Sequence, residues 1–98
     1  MTIVFAPQAI TDMEELHAFI ARRSPARAYS VLARIRTATN RLAVFPESGR
    51  RGYVEGTREL VVPRLPYRVI YRIRADEIVI ERVLHTARQW PPIDSDES

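Results

Sequence analysis

The sequence predicts an α+β domain, in which an antiparallel hairpin of two helices packs on one face of a mostly antiparallel sheet. In the first half of the 98 residues, apolar side chains recur at three- and four-residue spacing, which is the period of a helix. In the second half, short segments alternate or run continuously apolar between glycines and prolines, as strands do. The predicted order of elements is β-α-α-β-β-β.

The first two elements are a strand and a helix. Residues 2–6, TIVFA, form a short apolar strand, and Pro7 after it suits the first turn of a helix. The helix is predicted from Ala9 to about Arg23. Its buried face consists of Ile10, Met13, either Leu16 or His17, and Ile20. Acidic residues early in this helix and two arginines at its end complement the helix dipole.

A second helix begins at Ser24-Pro25, with serine as the N-cap and proline in the first helical position. Its apolar stripe continues to about Val44, and Phe45-Pro46 ends it. The members of the stripe are Ala28, Leu32, Ile35, Thr39 and Leu42. Because almost no loop separates the two helices, they are predicted to pack antiparallel.

Three strands follow a loop that starts at Glu47. They are predicted at 58–62, 67–74 and 78–85, and the last is apolar enough for the interior of a sheet. Strict alternation places Tyr67, Val69, Tyr71 and Ile73 on one face of their strand and Arg68, Ile70, Arg72 and Arg74 on the other. In the last strand, alternation separates Val79, Glu81, Val83 and His85 from Ile78, Ile80, Arg82 and Leu84. The first strand is expected to join this sheet at an edge or inside it.

Charge is distributed unevenly along the chain. The net charge is +3, but residues 1–90 carry all 15 arginines against nine acidic residues, and the chain has no lysine and no cysteine. We predict one domain over residues 1–90 and an acidic, disordered tail over 91–98. A basic body favours nucleic acid or an acidic protein as partner. No apolar run approaches the ~20 residues of a membrane span and no signal peptide is recognisable, so a cytoplasmic location is expected.

No metal-ligand spacing and no phosphate-binding glycine loop is visible, so neither metal nor cofactor is predicted. The arginines with His85 could instead hold a phosphodiester. RNA cleavage by a 2′-hydroxyl needs a base, an acid and a cation. His85 could be the acid or the base, Glu59 or Tyr67 the other, and Arg58, Arg72 and Arg88 the cations. Alternatively, the arginines are solvated or paired with Glu55, Glu59, Glu77 and Glu81, and Tyr67 and Trp90 serve packing.

The order of four motifs resembles the RelE/ParE superfamily of bacterial toxins. The motifs are Gly49-Arg50, Gly56–Leu60, Pro66–Arg72 and Ile80–Arg88, and the resemblance covers residues 2–90. It implies the toxin of a type II toxin–antitoxin module, with the α+β fold predicted above. It also implies a ParD-like or RelB-like antitoxin that wraps the toxin in a hetero-oligomer.

The resemblance leaves two branches open. RelE-like members cleave mRNA in the ribosomal A site, whereas ParE-like members inhibit DNA gyrase and have no known nuclease role. Positions where ribonucleases often carry lysine or glutamate hold Glu59 and Val61, Arg64 matches a ribonuclease arginine only after a shift, and His85 resembles the ParE-like VLH ending. The ParE-like branch is therefore favoured. An inactive interaction module is a further alternative, so enzymatic activity stays open.

Site residues follow from these alternatives. If the chain is a ribonuclease, the catalytic candidates are Arg58, Arg64, Arg72, His85 and Arg88. A basic groove between the hairpin and the sheet is expected to receive a segment of the antitoxin. That antitoxin segment would carry apolar anchors and acidic residues. The residues assigned to partner binding are Ala28, Val31 and Ile35, through exposed parts of their side chains, together with Arg68 and Trp90.

Overall fold

The computed structural model describes residues 1–92, and the predicted tail lies outside them from residue 93 onward. The domain boundary near residue 90 therefore stays a prediction. The elements are β1 (Thr2–Phe5), α1 (Pro7–Ala21), α2 (Pro25–Arg41), β2 (Arg50–Arg51), β3 (Arg58–Val61), β4 (Tyr67–Arg74) and β5 (Glu77–His85). Each predicted element is present, and β2 is an additional strand that the sequence did not reveal. A strand of two residues is too short to show a periodicity.

The strands form one sheet in the order β1-β5-β4-β3-β2. Only β1 and β5 run parallel, and the other three neighbouring pairs are antiparallel. The predicted α+β class and mostly antiparallel sheet are confirmed. The first strand lies at an edge, where it covers β5 and gives that apolar strand a neighbour on each side.

Local signals explain both helices. The Ser24 hydroxyl accepts the N–H of Arg27 at 3.0 Å, which confirms the predicted N-cap of α2. Pro7 is the first residue of α1, so that helix begins two residues before the predicted Ala9. Residues 42–44 continue α2 as a tighter turn, with the N–H of Val44 bonded to the carbonyl of Arg41.

The core lies between the helical hairpin and one face of the sheet. Its members are Ala9, Met13, Val31, Ile35, Ala38, Leu42, Val62, Leu65, Val69, Tyr71, Ile78, Ile80 and Val83. The sequence left either Leu16 or His17 as the buried residue of the first helix. Leu16 packs against this core while His17 is exposed, so Leu16 is the buried one. The predicted burial of Ile10 is wrong: its side chain is 48% exposed, because Ala9 takes the buried position in that turn.

A bulge in β5 breaks the strict alternation that we predicted there. Ile70 is opposite Arg82 and Tyr71 is opposite Ile80, so Glu81 has no partner residue across the strands. One extra residue shifts the two-residue period by one position. Consequently Ile80 and Val83 lie in the same core cluster, although alternation had placed them on opposite faces.

In the described residues 1–92, no helix is long and apolar enough to cross a membrane.

Candidate functional site

A polar cleft lies on the side of the sheet where β5 ends, and we name it the arginine cleft. It is lined by residues from β2, β3, β4 and the segment after β5: Arg50, Arg51, Gly52, Tyr53, Glu59, Arg68 and Thr86–Trp90. The chain reaches this place because it turns after β5. The N–H of Thr86 bonds the carbonyl of Pro66 at 2.8 Å, and the N–H of Arg88 bonds the carbonyl of His85 at 2.9 Å.

Arg68 is the cation of the arginine cleft whose side chain bonds other residues within 1–92. Its Nη1 donates to Glu59 Oε1 at 2.5 Å and its Nη2 donates to the carbonyl of Arg88 at 2.8 Å. Its side chain is 14% exposed and that of Glu59 only 4%. The Nε of Arg68 is buried and has no hydrogen-bond partner within residues 1–92. Arg68 therefore ties the segment after β5 to β3 and keeps one donor unsatisfied.

Glu59 neutralises the inner end of this cleft. Besides Arg68, its carboxylate accepts the N–H of Tyr53 at 3.4 Å, a long contact. Both oxygens of the Glu59 carboxylate are therefore already engaged inside the protein. The remaining cations of the cleft, Arg50, Arg51 and Arg88, are exposed and none has a carboxylate within salt-bridge distance in the described chain. The cleft thus combines a neutral interior with a positive rim.

His85 is exposed and does not line the arginine cleft. Its Nδ1 accepts the N–H of Ala87 at 3.0 Å, and its ring meets the Tyr67 ring edge-on with 5.7 Å between centroids. When Nδ1 accepts a hydrogen bond, the proton of the neutral ring resides on Nε2. The outward nitrogen of neutral His85 is then a donor and cannot take a proton from a substrate.

Arg58 and Arg72 stabilise the loop before β3. Arg58 Nη1 donates to the carbonyl of Gly49 at 2.7 Å and of Glu47 at 3.3 Å. Arg72 Nε donates to Glu81 Oε2 at 2.7 Å, and its Nη1 reaches the carbonyl of Glu55. Neither arginine lines the arginine cleft. Four residues along β4 separate Arg72 from Arg68, about 13 Å at the rise of a strand.

Arg64 lies in the exposed turn between β3 and β4, where its φ is 65°, and it also lies outside the cleft lining. Of the five catalytic candidates, the structure therefore brings only Arg88 into the cleft. The alternative that sheet arginines pair with glutamates is confirmed for Arg68 with Glu59 and for Arg72 with Glu81.

The five residues assigned to partner binding divide into two groups. Arg68 and Trp90 line the arginine cleft. Ala28, Val31 and Ile35 are 0%, 2% and 0% exposed, so the expectation that parts of these side chains are exposed is wrong. The physical reason is that this face of α2 points into the core, where α1 and the sheet cover it together.

An open apolar groove lies beside that buried stripe, and we name it the α2–β3 groove. Ala38, Leu60, Val62 and Pro63 line it with Phe45, while Arg34 and Arg41 add positive charge. It exists because β2 pairs only with Arg58 and Glu59 and leaves the rest of β3 uncovered. A basic groove between the hairpin and the sheet was expected, but the residues that line it were not predicted, although Phe45, an aromatic residue directly after the helix, was a signal.

A second apolar groove lies on the other side of the hairpin. Phe5, Ile10, Met13 and Leu32 line it together with Glu14, His17 and Arg36. Sequence reasoning also missed Arg50, Arg51 and Tyr53 as cleft residues. They stand between Gly49 and Gly56, where the glycines suggested turns alone.

Known proteins match this chain in sequence. The family described as "ParE toxin of type II toxin-antitoxin system, parDE" matches residues 3–90. A protein of Sinorhizobium fredii named as a toxin, Y4kP, is 42% identical over 86 residues, which is 88% of either chain. Toxin RelE2 of Caulobacter vibrioides is 31% identical over 86 residues, covering 88% of this chain and 96% of its own.

Solved structures match the fold. A chain of the chromosomal ParDE toxin–antitoxin system from P. aeruginosa superposes with a TM-score of 0.77 at 23% identity, over 87% of this chain and 95% of its own. A chain of the toxin–antitoxin complex RelBE2 from Mycobacterium tuberculosis gives a TM-score of 0.60 at 28% identity, over 89% and 92% respectively. The family match over residues 3–90 and the 42% and 31% identities to the two named toxins show that the chain belongs to the ParE toxin family of type II toxin–antitoxin systems, within the RelE/ParE superfamily.

Proposed function

We propose that this toxin arrests growth by inhibiting DNA gyrase through protein–protein contact, and that a cognate antitoxin neutralises it by direct binding. The observation that carries the proposal is the dispersal of the candidate catalytic side chains. Arg58 and Arg72 anchor a loop, Arg64 lies on a turn, and only Arg88 lines the arginine cleft. Gyrase inhibition is the activity that the resemblance to the ParE-like branch implies.

The chemistry of the cleft also supports a role without catalysis. A general base must lie within hydrogen-bond reach of the proton that it removes, and it must have a free lone pair. The Glu59 carboxylate is buried against Arg68, and the outward nitrogen of neutral His85 carries a proton. Neither group is placed to remove the proton of a 2′-hydroxyl in the arginine cleft.

The same cleft has the composition of a protein contact. Arginine, tyrosine and tryptophan are the residue types most often found at the energetic centres of interfaces. Here Arg50, Arg51 and Arg88 are exposed, Tyr53 is 84% exposed, and Trp90 lies half-buried beside them. We assign the arginine cleft to the gyrase contact on this ground.

The antitoxin is assigned to the α2–β3 groove, in place of the buried Ala28, Val31 and Ile35. Its floor is apolar, and Arg34 and Arg41 can pair with acidic side chains. An amphipathic helix of a ParD-like or RelB-like antitoxin, with apolar anchors and acidic flanks, fits these features. A hetero-oligomer of toxin and antitoxin in the cytoplasm, where gyrase and the ribosome are found, follows from this proposal.

Supercoiling by purified gyrase tests the proposal. Added toxin should inhibit supercoiling, and added antitoxin should restore it. Tyr53→Ala should raise the inhibitory concentration at least tenfold, about 1.4 kcal/mol. Tyr29→Ala is the matched control, because Tyr29 is 78% exposed on α2 and does not line the cleft. Unchanged supercoiling at saturating toxin would refute the gyrase proposal.

One observation favours the RelE-like ribonuclease as the second candidate. Arg68 and Arg88 both line the cleft, and the exposed guanidinium of Arg88 could bond a phosphate oxygen. This function predicts codon-phased cuts in translated mRNA that His85→Ala or Arg88→Ala abolishes. Intact transcripts during growth arrest would rule it out. If induction of the toxin causes no growth arrest, the chain is the inactive interaction module.

A further inference from the structure

The arginines of the helical hairpin differ from those of the sheet. Residues 16–46 contain six arginines and no aspartate or glutamate. All six side chains are exposed: Arg22, Arg23, Arg27, Arg34, Arg36 and Arg41. Unlike the sheet arginines, they have no acidic residue near them in sequence to offset their charge.

Ion pairing follows the same division. Arg68, Arg72 and Arg82 pair with Glu59, Glu81 and Asp12, and these are the salt bridges of residues 1–92. No hairpin arginine takes part in one. Two of them lie over aromatic rings instead, Arg22 at 5.4 Å from the Phe19 centroid and Arg41 at 5.9 Å from that of Phe45. One of the six, Arg34, donates from Nη2 to the carbonyl of Pro63 at 2.8 Å, but a carbonyl does not neutralise its charge. The positive charge of the hairpin is therefore available to an external anion.

Spacing aligns three of these cations along one side of α2. Arg27, Arg34 and Arg41 are seven residues apart, which is close to two helical turns, so they lie on one side of the helix. At the rise of a helix, the three span about 21 Å. Arg22 and Arg23 extend the charge at the tip of the hairpin. That length corresponds to roughly six base pairs of duplex DNA, at about 3.4 Å per pair.

We propose that the outer surface of the hairpin binds the phosphate backbone of duplex DNA without sequence selectivity. Guanidinium groups bond phosphate in a bidentate manner and stay charged at every physiological pH. An acidic protein segment would need apolar anchors to bind tightly, and the two apolar grooves offer places for such anchors. The arginines in those grooves are Arg34 and Arg41 in the α2–β3 groove and Arg36 in the second groove. Arg22, Arg23 and Arg27 line neither groove, which favours the uniform charge of a phosphate backbone over a protein.

Fluorescence anisotropy tests the proposal. A labelled 20-base-pair duplex, about 68 Å long, is titrated with the full-length toxin at several salt concentrations. The hairpin variant is R22Q/R23Q/R27Q, chosen because these three side chains are exposed on the proposed surface, line neither apolar groove, and form no hydrogen bond or ion pair within residues 1–92. The matched control is R51Q/R64Q/R74Q, three exposed arginines outside the hairpin. Both variants lose the same formal charge, so net charge alone cannot separate them.

The wild-type protein should bind with an affinity that falls steeply as salt rises. The hairpin variant should lose at least tenfold in affinity at ~0.1 M salt, and its log–log salt slope should shrink by about 2 to 3, since each phosphate contact contributes about 0.9. The control variant should lose less than about threefold. Equal losses in the two variants, or no binding by the wild type, would overturn the proposal. So would capture of poly-glutamate, but not of DNA, by the hairpin.

The inference is independent of gyrase inhibition, which the supercoiling assay measures on the same preparation. DNA binding without inhibition refutes the proposed function and leaves this inference intact. Gyrase inhibition without DNA binding overturns this inference and leaves the proposed function intact. Equal melting temperatures of the three proteins establish that lost binding does not reflect lost folding.

Discussion

Asp12 of α1 and Arg82 of β5 form a bidentate ion pair that joins the helical hairpin to the sheet. Arg82 Nε and Nη2 donate to the two carboxylate oxygens at 2.8 and 3.0 Å. The same carboxylate accepts the N–H of Val83 at 3.0 Å, next to the bulge. The Asp12 side chain is only 3% exposed, and its hydrogen bond raises the pKa of Arg82. A single carboxylate thus satisfies a buried cation and a backbone donor at once.

Asp12→Ala should destabilise the protein by about 3–5 kcal/mol, because it leaves a mostly buried guanidinium and a backbone N–H without partners. Urea denaturation followed by circular dichroism measures the change. Glu14→Ala, an exposed acidic position in the same helix, is the control and should stay within about 0.5 kcal/mol. A loss below about 1 kcal/mol in Asp12→Ala would show that water or another group replaces the carboxylate.

Glu59 and Arg68 offer a second test of a buried pair. Glu59→Leu alone should cost about 3 kcal/mol, since the Arg68 side chain, 14% exposed, would keep its charge without a partner. The double variant E59L/R68M should recover most of that loss, because two apolar side chains of similar volume replace the pair. Chemical denaturation of E59L, R68M and the double variant measures the coupling energy. If the effects of the two single substitutions simply add, the ion pair does not stabilise the segment after β5.

Stability should fall at high pH through Tyr71. Its hydroxyl donates to the carbonyl of Pro46 at 2.7 Å and accepts the N–H of Gly49 at 2.9 Å. Burial raises its pKa above the ordinary value of 10.0. The unfolded chain therefore loses the proton first, and the stabilisation present below pH 10.0 is lost as the pH rises through the folded pKa.

The free energy of unfolding, measured from about pH 9 to about pH 11.5, should decline more steeply for the wild type than for Tyr71→Phe. At neutral pH the variant should be less stable by about 1–3 kcal/mol, since it leaves the Gly49 N–H and the Pro46 carbonyl unpaired. Parallel pH profiles for the two proteins would contradict the role of this hydroxyl.

Two phenylalanines give a matched test of the α2–β3 groove. Phe45 is 56% exposed and lines the groove, whereas Phe19 is 66% exposed and lies outside it. Each has an arginine over its ring. Phe45→Ala should weaken antitoxin binding at least tenfold, measured by calorimetry, while Phe19→Ala should change it less than about twofold. Equal effects of the two substitutions would place the antitoxin elsewhere.

The sequence by itself determined every element except β2, the order of these elements and the superfamily. Ser24, Pro25 and Pro7 mark helix starts through contacts within a few residues, and the stripes on the helices show which face is buried. The order of the motifs from Gly49 to Arg88 indicated the RelE/ParE superfamily, and the family match over residues 3–90 confirms it. All of this information is local or ordered along the chain, so a linear pattern contains it.

Only the tertiary structure decided which side chains meet. Ala28, Val31 and Ile35 were predicted to contact a partner, but the packing of α2 against α1 and the sheet buries all three side chains. The partner of Arg82 lies 70 residues away, and one bulged residue in β5 sets which side chains share a face. Ion pairing depends on distances of a few ångströms across elements that are remote in sequence. Arginine content therefore predicted a basic surface, whereas the fold decided which arginines are paired and which are free.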